Sequence, residues 1–150
     1  MRRILDIFFS VLLFLILLIP ILIISFLVCI FSSGSILFWS KRIGCNNIIF
    51  QMPKFRTMKL DTPDVATHLL ENSSKYITPI GLFLRKTSLD ELPQLWSIFI
   101  GDMTFIGPRP ALYNQYDLID LRTQYDIHKL KPGITGLAQV SGRDSLSIEK

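Results

Sequence analysis

"IFFSVLLFLILLIPILIISFLVCIF", residues Ile7–Phe31, contains no charged side chain. A helix needs about 20 apolar residues to cross a hydrocarbon core of roughly 30 Å, and this run is long enough. It is too long for the apolar core of a secretory signal and ends in "FSSGS", so cleavage is disfavoured. Pro20 stands in its middle. A proline removes a helix hydrogen bond and kinks the axis, so each half reaches only about 15–20 Å at roughly 1.5 Å per residue. Arg2 and Arg3 precede the run, and Lys41 and Arg42 follow it. Basic flanks stay on the cytoplasmic side. A helix that dips into the bilayer, breaks at Pro20 and returns puts both flanks there. A kinked single-span anchor is the alternative that this segment leaves open.

The chain has 150 residues, room for one modest domain, and its 49% hydrophobic content is concentrated in that N-terminal run. The remainder is polar and basic. The formal net charge of +4 suits a membrane surface or a phosphorylated substrate. Nucleic acid is disfavoured, because the bases are scattered among apolar residues with no nucleic-acid motif. The two cysteines, Cys29 and Cys45, lack a CxxC partner, which implies no disulfide and a reducing, cytoplasmic setting. His68 and His128 lack zinc spacing and read as surface or packing residues.

Beyond the "SSGS" loop, "ILFWSKRIG" and "NIIFQMPKFRTM" are strand-like and meet at "GCNN", which predicts a β-hairpin. "KLDTPDVATHLLENSSKYITPIG" predicts loop, a short helix near Val65 to Glu71 capped by Asp64, and loop again. After "SLDE", Leu92, Leu95, Trp96 and Phe99 fall on one helical stripe, which could be core or could lie in a membrane interface. A further helix is expected from Leu112 to about Ile127, and "LKPGITGLAQVSGRD" is turn-rich.

Asp90 and Glu91, in "SLDELP", are the candidate chemistry. The plain reading is capping: a Ser88–Glu91 capping box, or Asp90 as N-cap with Pro93 in the first turn. Either puts two carboxylates at a helix N-terminus, an end that also attracts phosphate. Adjacent helical residues diverge by about 100°. One carboxylate can therefore attack a phosphorus atom while its neighbour holds magnesium, which prefers carboxylates together with substrate phosphates. Arg85 lies just upstream, Arg109 is pinned between prolines in "GPRP", and Arg56 and Arg143 occupy edge or turn positions. The arginine fork grips phosphate oxygens bidentately.

"KFRTM", "RKTSLDELPQL", "GDMTFIGPRPALYNQY" and "KPGITGLAQVSGRD", in this order after a proline-centred apolar run, resemble the small monotopic phosphoglycosyl transferases of the bacterial sugar transferase family. The match runs from about Arg2 to Asp144. The resemblance implies an α+β, helix-dominated fold with a re-entrant membrane helix over 1–33, a small β-hairpin and amphipathic interfacial helices in a cytoplasmic catalytic domain over 34–150. It implies transfer of a sugar 1-phosphate from a UDP-sugar to undecaprenyl phosphate with release of UMP, at the cytoplasmic face of the bacterial inner membrane. Asp90 matches the family's nucleophile, Glu91 its magnesium partner, and Arg85 and Arg109 its basic positions. Downstream glycosyltransferases are implied partners. Within the family, "KLDTPDVATHLL" and "RPALYNQYDLIDLRT" look most like capsule and O-antigen enzymes, some of which transfer N-acetylated, even 6-deoxy, amino sugars. The chain departs from the family at Ile19-Pro20 (usually Ser-Pro), Gly34-Ser35 (usually Gly-Pro), Ser40 (usually Gln) and Pro53. The family also continues for several dozen residues past the position of Lys150, so the rival expectation is a non-catalytic, membrane-anchored fragment. Polytopic transferases are disfavoured, because they need many apolar runs and this chain has one.

Overall fold

The computed structural model describes residues 1–62 and 75–141. The helix expected at Val65 to Glu71, with Asp64 and His68, lies outside them, as does Arg143. The apolar run forms two helices, α1 (Arg2–Ile16) and α2 (Leu18–Phe31), bent by 64°. The break falls at Leu17 and not at Pro20. A proline ring clashes with the carbonyl four residues earlier, here that of Ile16, and offers it no N–H. The helix therefore stops one turn upstream, and Pro20 settles into the first turn of α2, where its missing donor costs nothing. Among the described residues no single helix is long and apolar enough to cross a membrane; the bent pair reaches that length and hydropathy only together.

Both ends of the pair dock on the same body. Arg3 donates from Nη1 to the Ile98 carbonyl and from Nη2 to that of Phe99. Asp6 accepts from Thr104 Oγ1 at 2.9 Å and from the Phe105 amide at 3.4 Å. At the other end, Ile24 and Val28 of α2 are buried with Phe55 and Leu84.

The expected hairpin is present. Strands β1 (Leu37–Ile43) and β2 (Ile49–Phe55) pair antiparallel, with Ser40 opposite Met52 and Arg42 opposite Phe50. The turn is closed by Asn46 and Asn47, both at positive φ, a conformation asparagine tolerates. Pro53 sits opposite Trp39 and is allowed because both strands of a two-stranded sheet are edges. Phe50, Met52 and Lys54 share one face by the two-residue period of a strand. Phe50 and Met52 pack there with Ile98 and Met103 in a second small core.

Helix α3 (Pro79–Thr87) begins within the stretch that the sequence reads as loop. Its start is encoded nevertheless: the Thr78 hydroxyl accepts from the Gly81 amide at 3.1 Å, and Pro79 takes the first helical position. Ser88 ends α3 in the left-handed region (φ 58°). It forms no capping box, and Asp90 caps nothing. Leu89–Glu91 instead make one 3-10 turn, after which α4 (Gln94–Ile100) begins behind Pro93 without a side-chain cap. The apolar stripe divides: Leu95 is buried, while Trp96 and Phe99 are exposed.

A second sheet was not expected. Strand β3 (Thr104–Ile106) pairs in parallel with β4 (Gly133–Thr135). Glycine makes this crossing possible: a Cβ on Gly133 would lie 2.1 Å from the Gly107 nitrogen. Helix α5 (Tyr116–Gln124) is shorter than the stretch from Leu112 to Ile127: Leu112 and Gln115 close a turn ahead of it, the Gln115 amide donating to the Leu112 carbonyl, and Asp126 turns left-handed (φ 60°) behind it; α6 (Leu137–Val140) follows. The architecture is α+β and helix-rich.

Candidate active site

The two acids sit where α3 hands over to α4. A 3-10 turn advances by about 120° per residue, so neighbouring side chains diverge. Asp90 turns inward and is 8% exposed. Glu91 faces a cleft lined by Arg42, Lys54, Gln94, Arg109 and the β4 residues Gly133 and Ile134. Its Oε1 accepts from Lys54 Nζ at 2.8 Å and lies 4.0 Å from an Arg109 nitrogen. Arg42 anchors the same wall, donating from Nε to Ser40 Oγ at 3.0 Å and from Nη1 to the Pro110 carbonyl at 3.2 Å.

The electrostatics are opposed. Burial pushes the Asp90 carboxyl above the ordinary aspartate range; Lys54 pulls it back, Glu91 pushes it up again, and Arg85 pulls it down. Lys54 is held below the ordinary lysine range by burial, which outweighs its attraction to Glu91. Lys54 and the two acids are thus largely desolvated, beside the more exposed Arg109. A bound anion would relieve the crowding of Arg42, Lys54 and Arg109.

The sequence-based candidates separate accordingly. Glu91 and Arg109 meet in the cleft, and Asp90 lies beside Glu91 on the inward side of the same turn. Arg85, in the last turn of α3, is close enough to act on Asp90. Arg56 does not join them: its guanidinium is tied to Ser35, from Nε to the carbonyl at 2.7 Å and from Nη2 to the hydroxyl at 2.6 Å. Two members were missed. Lys54 was legible, because "FQMPK" alternates as a strand and places the lysine on the Phe50–Met52 face. Arg42, a membrane flank by sequence, falls two residues after Ser40 on that same inward face.

Among the described residues no three His, Cys, Asp or Glu side chains converge on a metal position. The donor set fits magnesium only in its usual manner, with one or two carboxylates and the remaining oxygens from phosphate and water.

The acid pair, with Lys54, Arg85 and Arg109 around it, lies beside the apolar broken helix. Residues 1–150 match the family model of the bacterial sugar transferases, and the chain belongs to that family. It is 37% identical over 145 positions to the UDP-glucose:undecaprenyl-phosphate glucose-1-phosphate transferase of Escherichia coli, covering 95% of this chain and 31% of that protein. It is 34% identical over 161 positions to the exopolysaccharide production protein ExoY of Sinorhizobium fredii, covering 97% and 71%. It is 38% identical over 125 positions to the galactosyl transferase CpsE of Streptococcus agalactiae serotype III, covering 76% and 28%. The chain thus spans only about a third or less of several relatives it matches.

Proposed function

We propose that the chain transfers a sugar 1-phosphate from a UDP-sugar to undecaprenyl phosphate, releasing UMP, as the first membrane step of a capsule, exopolysaccharide or O-antigen pathway. The observation that carries this reading is the division of labour in the dyad: Asp90 is inward and unprotected by any salt bridge among the described residues, while Glu91 is engaged by Lys54. Family membership and the substrates in relatives' names support it.

Arg109, Lys54 and Arg42 bind and orient the diphosphate. An Asp90 carboxylate oxygen forms a bond to the phosphorus that bears the sugar. The bond from that phosphorus to the bridging oxygen breaks, and UMP leaves with the electron pair. A phosphate oxygen of the lipid acceptor then attacks the same phosphorus, the Asp90–phosphorus bond breaks, and the carboxylate is restored. Glu91 and Asp90 are the residues that would hold magnesium, whose charge offsets that of the diphosphate. Two displacements give ping-pong kinetics.

The membrane placement belongs to the same proposal. The bent pair is re-entrant, with the catalytic part on the cytoplasmic face of the bacterial inner membrane. Its support is that Arg3 and Asp6 at one end, and Ile24 and Val28 at the other, contact the same body. A spanning helix would put the two ends on opposite sides. The exposed Leu82, Phe83, Trp96 and Phe99 suit an interfacial surface. Downstream glycosyltransferases would consume the lipid-linked product.

The test is incubation of the purified chain with a UDP-sugar labelled in the sugar-linked phosphate, without lipid acceptor. Release of UMP in step with a label on Asp90, both abolished by Asp90→Asn, is the expected result. UMP release at the wild-type rate from Asp90→Asn would overturn the nucleophile. No release or label, even with undecaprenyl phosphate, would favour a non-catalytic role.

A further inference from the structure

Residues 108–111 form the loop that carries Arg109, and each of their carbonyls is held by a different donor. Pro108 O accepts from the Gly133 amide at 2.9 Å, and Ala111 O accepts from the Ile43 amide at 2.9 Å. Pro110 O accepts from Arg42 at 3.2 Å. Arg109 O, at the centre, accepts from Arg122 Nη1 at 2.7 Å.

Arg122 is an unusual donor. It lies in the last turn of α5 and lines a small cavity with Ile43, Pro108, Ala111 and Ile127. Among the described residues it has no carboxylate within ion-pair distance. Burial of the guanidinium depresses its pKa. A partly desolvated cation without an acid partner is a cost to the fold, and an apolar side chain of similar length would fill the space without it. What only the guanidinium supplies is a charged donor to the carbonyl of Arg109, and such bonds are about twice as strong as neutral ones.

We propose that Arg122 is a positioning residue that fixes the Arg109 peptide so that the Arg109 guanidinium is presented to the Glu91 side of the cleft. Pro108 and Pro110 restrict the backbone on either side, since the residue before a proline is confined to extended conformations. The peptide plane still has to be chosen, and the Arg122 bond chooses it. Arg122 itself touches no substrate. The inference rests on the reading of the cleft as a diphosphate site.

The experiment measures UDP binding by calorimetry on the full chain in detergent, alongside thermal unfolding. Arg122→Met, which keeps length and loses the donor, is expected to weaken UDP binding about tenfold, the loss of one charge-assisted hydrogen bond. Arg122→Lys, which keeps a charged donor, is expected to bind UDP more tightly than Arg122→Met. In the Arg109→Lys background, Arg122→Met should add little further loss, because both changes disable one element. If wild type binds UDP and Arg122→Met binds it equally well, or if the two losses simply add, the positioning role is overturned while the cleft reading stands. If wild type fails to bind UDP, both fall. Should Arg122→Met not fold, Arg122→Gln against Arg122→Lys gives the comparison: equal UDP affinity in the two, both well below wild type, overturns the role of the charged donor.

Discussion

Replacing Lys54 by methionine separates what the cleft needs for chemistry from what it needs for stability. The Lys54–Glu91 pair is 2.8 Å apart, with side chains 16% and 22% exposed. At an effective dielectric of about 20 its bare attraction is roughly 6 kcal/mol. Burial nevertheless wins, because Lys54 is held below its ordinary pKa despite Glu91. Each partner offsets the burial of the other, so removing one strands the other. Losing one member of a buried pair costs about 3–5 kcal/mol. Here Arg109 remains 4.0 Å from Glu91 and a fifth of each side chain is wet, so a loss of ~2–3 kcal/mol is expected for Lys54→Met. In a chain of this size that lowers the Tm by about 5–10 °C. The double variant Lys54→Met/Glu91→Gln no longer leaves Glu91 buried beside a missing lysine and should be more stable than Lys54→Met, while remaining inactive. Thermal unfolding in detergent, followed by the fluorescence of Trp39 and Trp96, reads all three. A Lys54→Met Tm equal to wild type, or a double variant less stable than the single, would refute this account of the pair.

Asp90→Asn should stabilise the chain at neutral pH. A carboxyl whose pKa is raised by folding contributes stability below its unfolded value of 3.8, and loses it as pH rises through the folded value. The Tm advantage of the asparagine should therefore be largest at neutral pH and close toward pH 3.8; an advantage that grows with acid would contradict the burial of a charge. For the same reason, the acid limb of UMP release should lie above the ordinary aspartate range, and a limb at or below it would count against Asp90 as the titrating nucleophile. Pro20→Ala restores a donor for the Ile16 carbonyl and removes the ring clash, so the bend at Leu17 should straighten, and a cysteine at position 2 should become reactive to an impermeant reagent outside intact cells; continued protection would mean that the docking of Arg3 and Asp6, and not the proline, sets the topology. Gly107→Ala would place a Cβ 2.4 Å from the Lys131 carbonyl, so it should cost about 1–3 kcal/mol in unfolding experiments and lower UMP release by displacing Arg109; wild-type values for both would show that the crossing yields freely.

Much was legible in the chain itself. The uncharged run and its proline determine a broken apolar helix, because periodicity and a missing donor act locally. The hairpin follows from two strand-like stretches around "GCNN", and the dyad and Arg109 stand out through carboxylate adjacency and flanking prolines. Where the local rule was misapplied, the signal was still present: Thr78-Pro79 announces α3, and the alternation of Phe50, Met52 and Lys54 turns the lysine inward. Other features existed only in three dimensions. The break moved to Leu17 because a proline acts on the carbonyl one turn behind it. "SLDELP" reads as a helix start, yet the left-handed Ser88 makes it a hinge between two helices. That geometry, and not residue type, separates Asp90 from Glu91. The parallel pairing of Thr104 with Gly133, the docking of Arg3 on α4, and the bond from Arg122 to Arg109 join residues far apart in sequence. No local propensity encodes such contacts; they arise when the packed elements leave each donor one acceptor within reach.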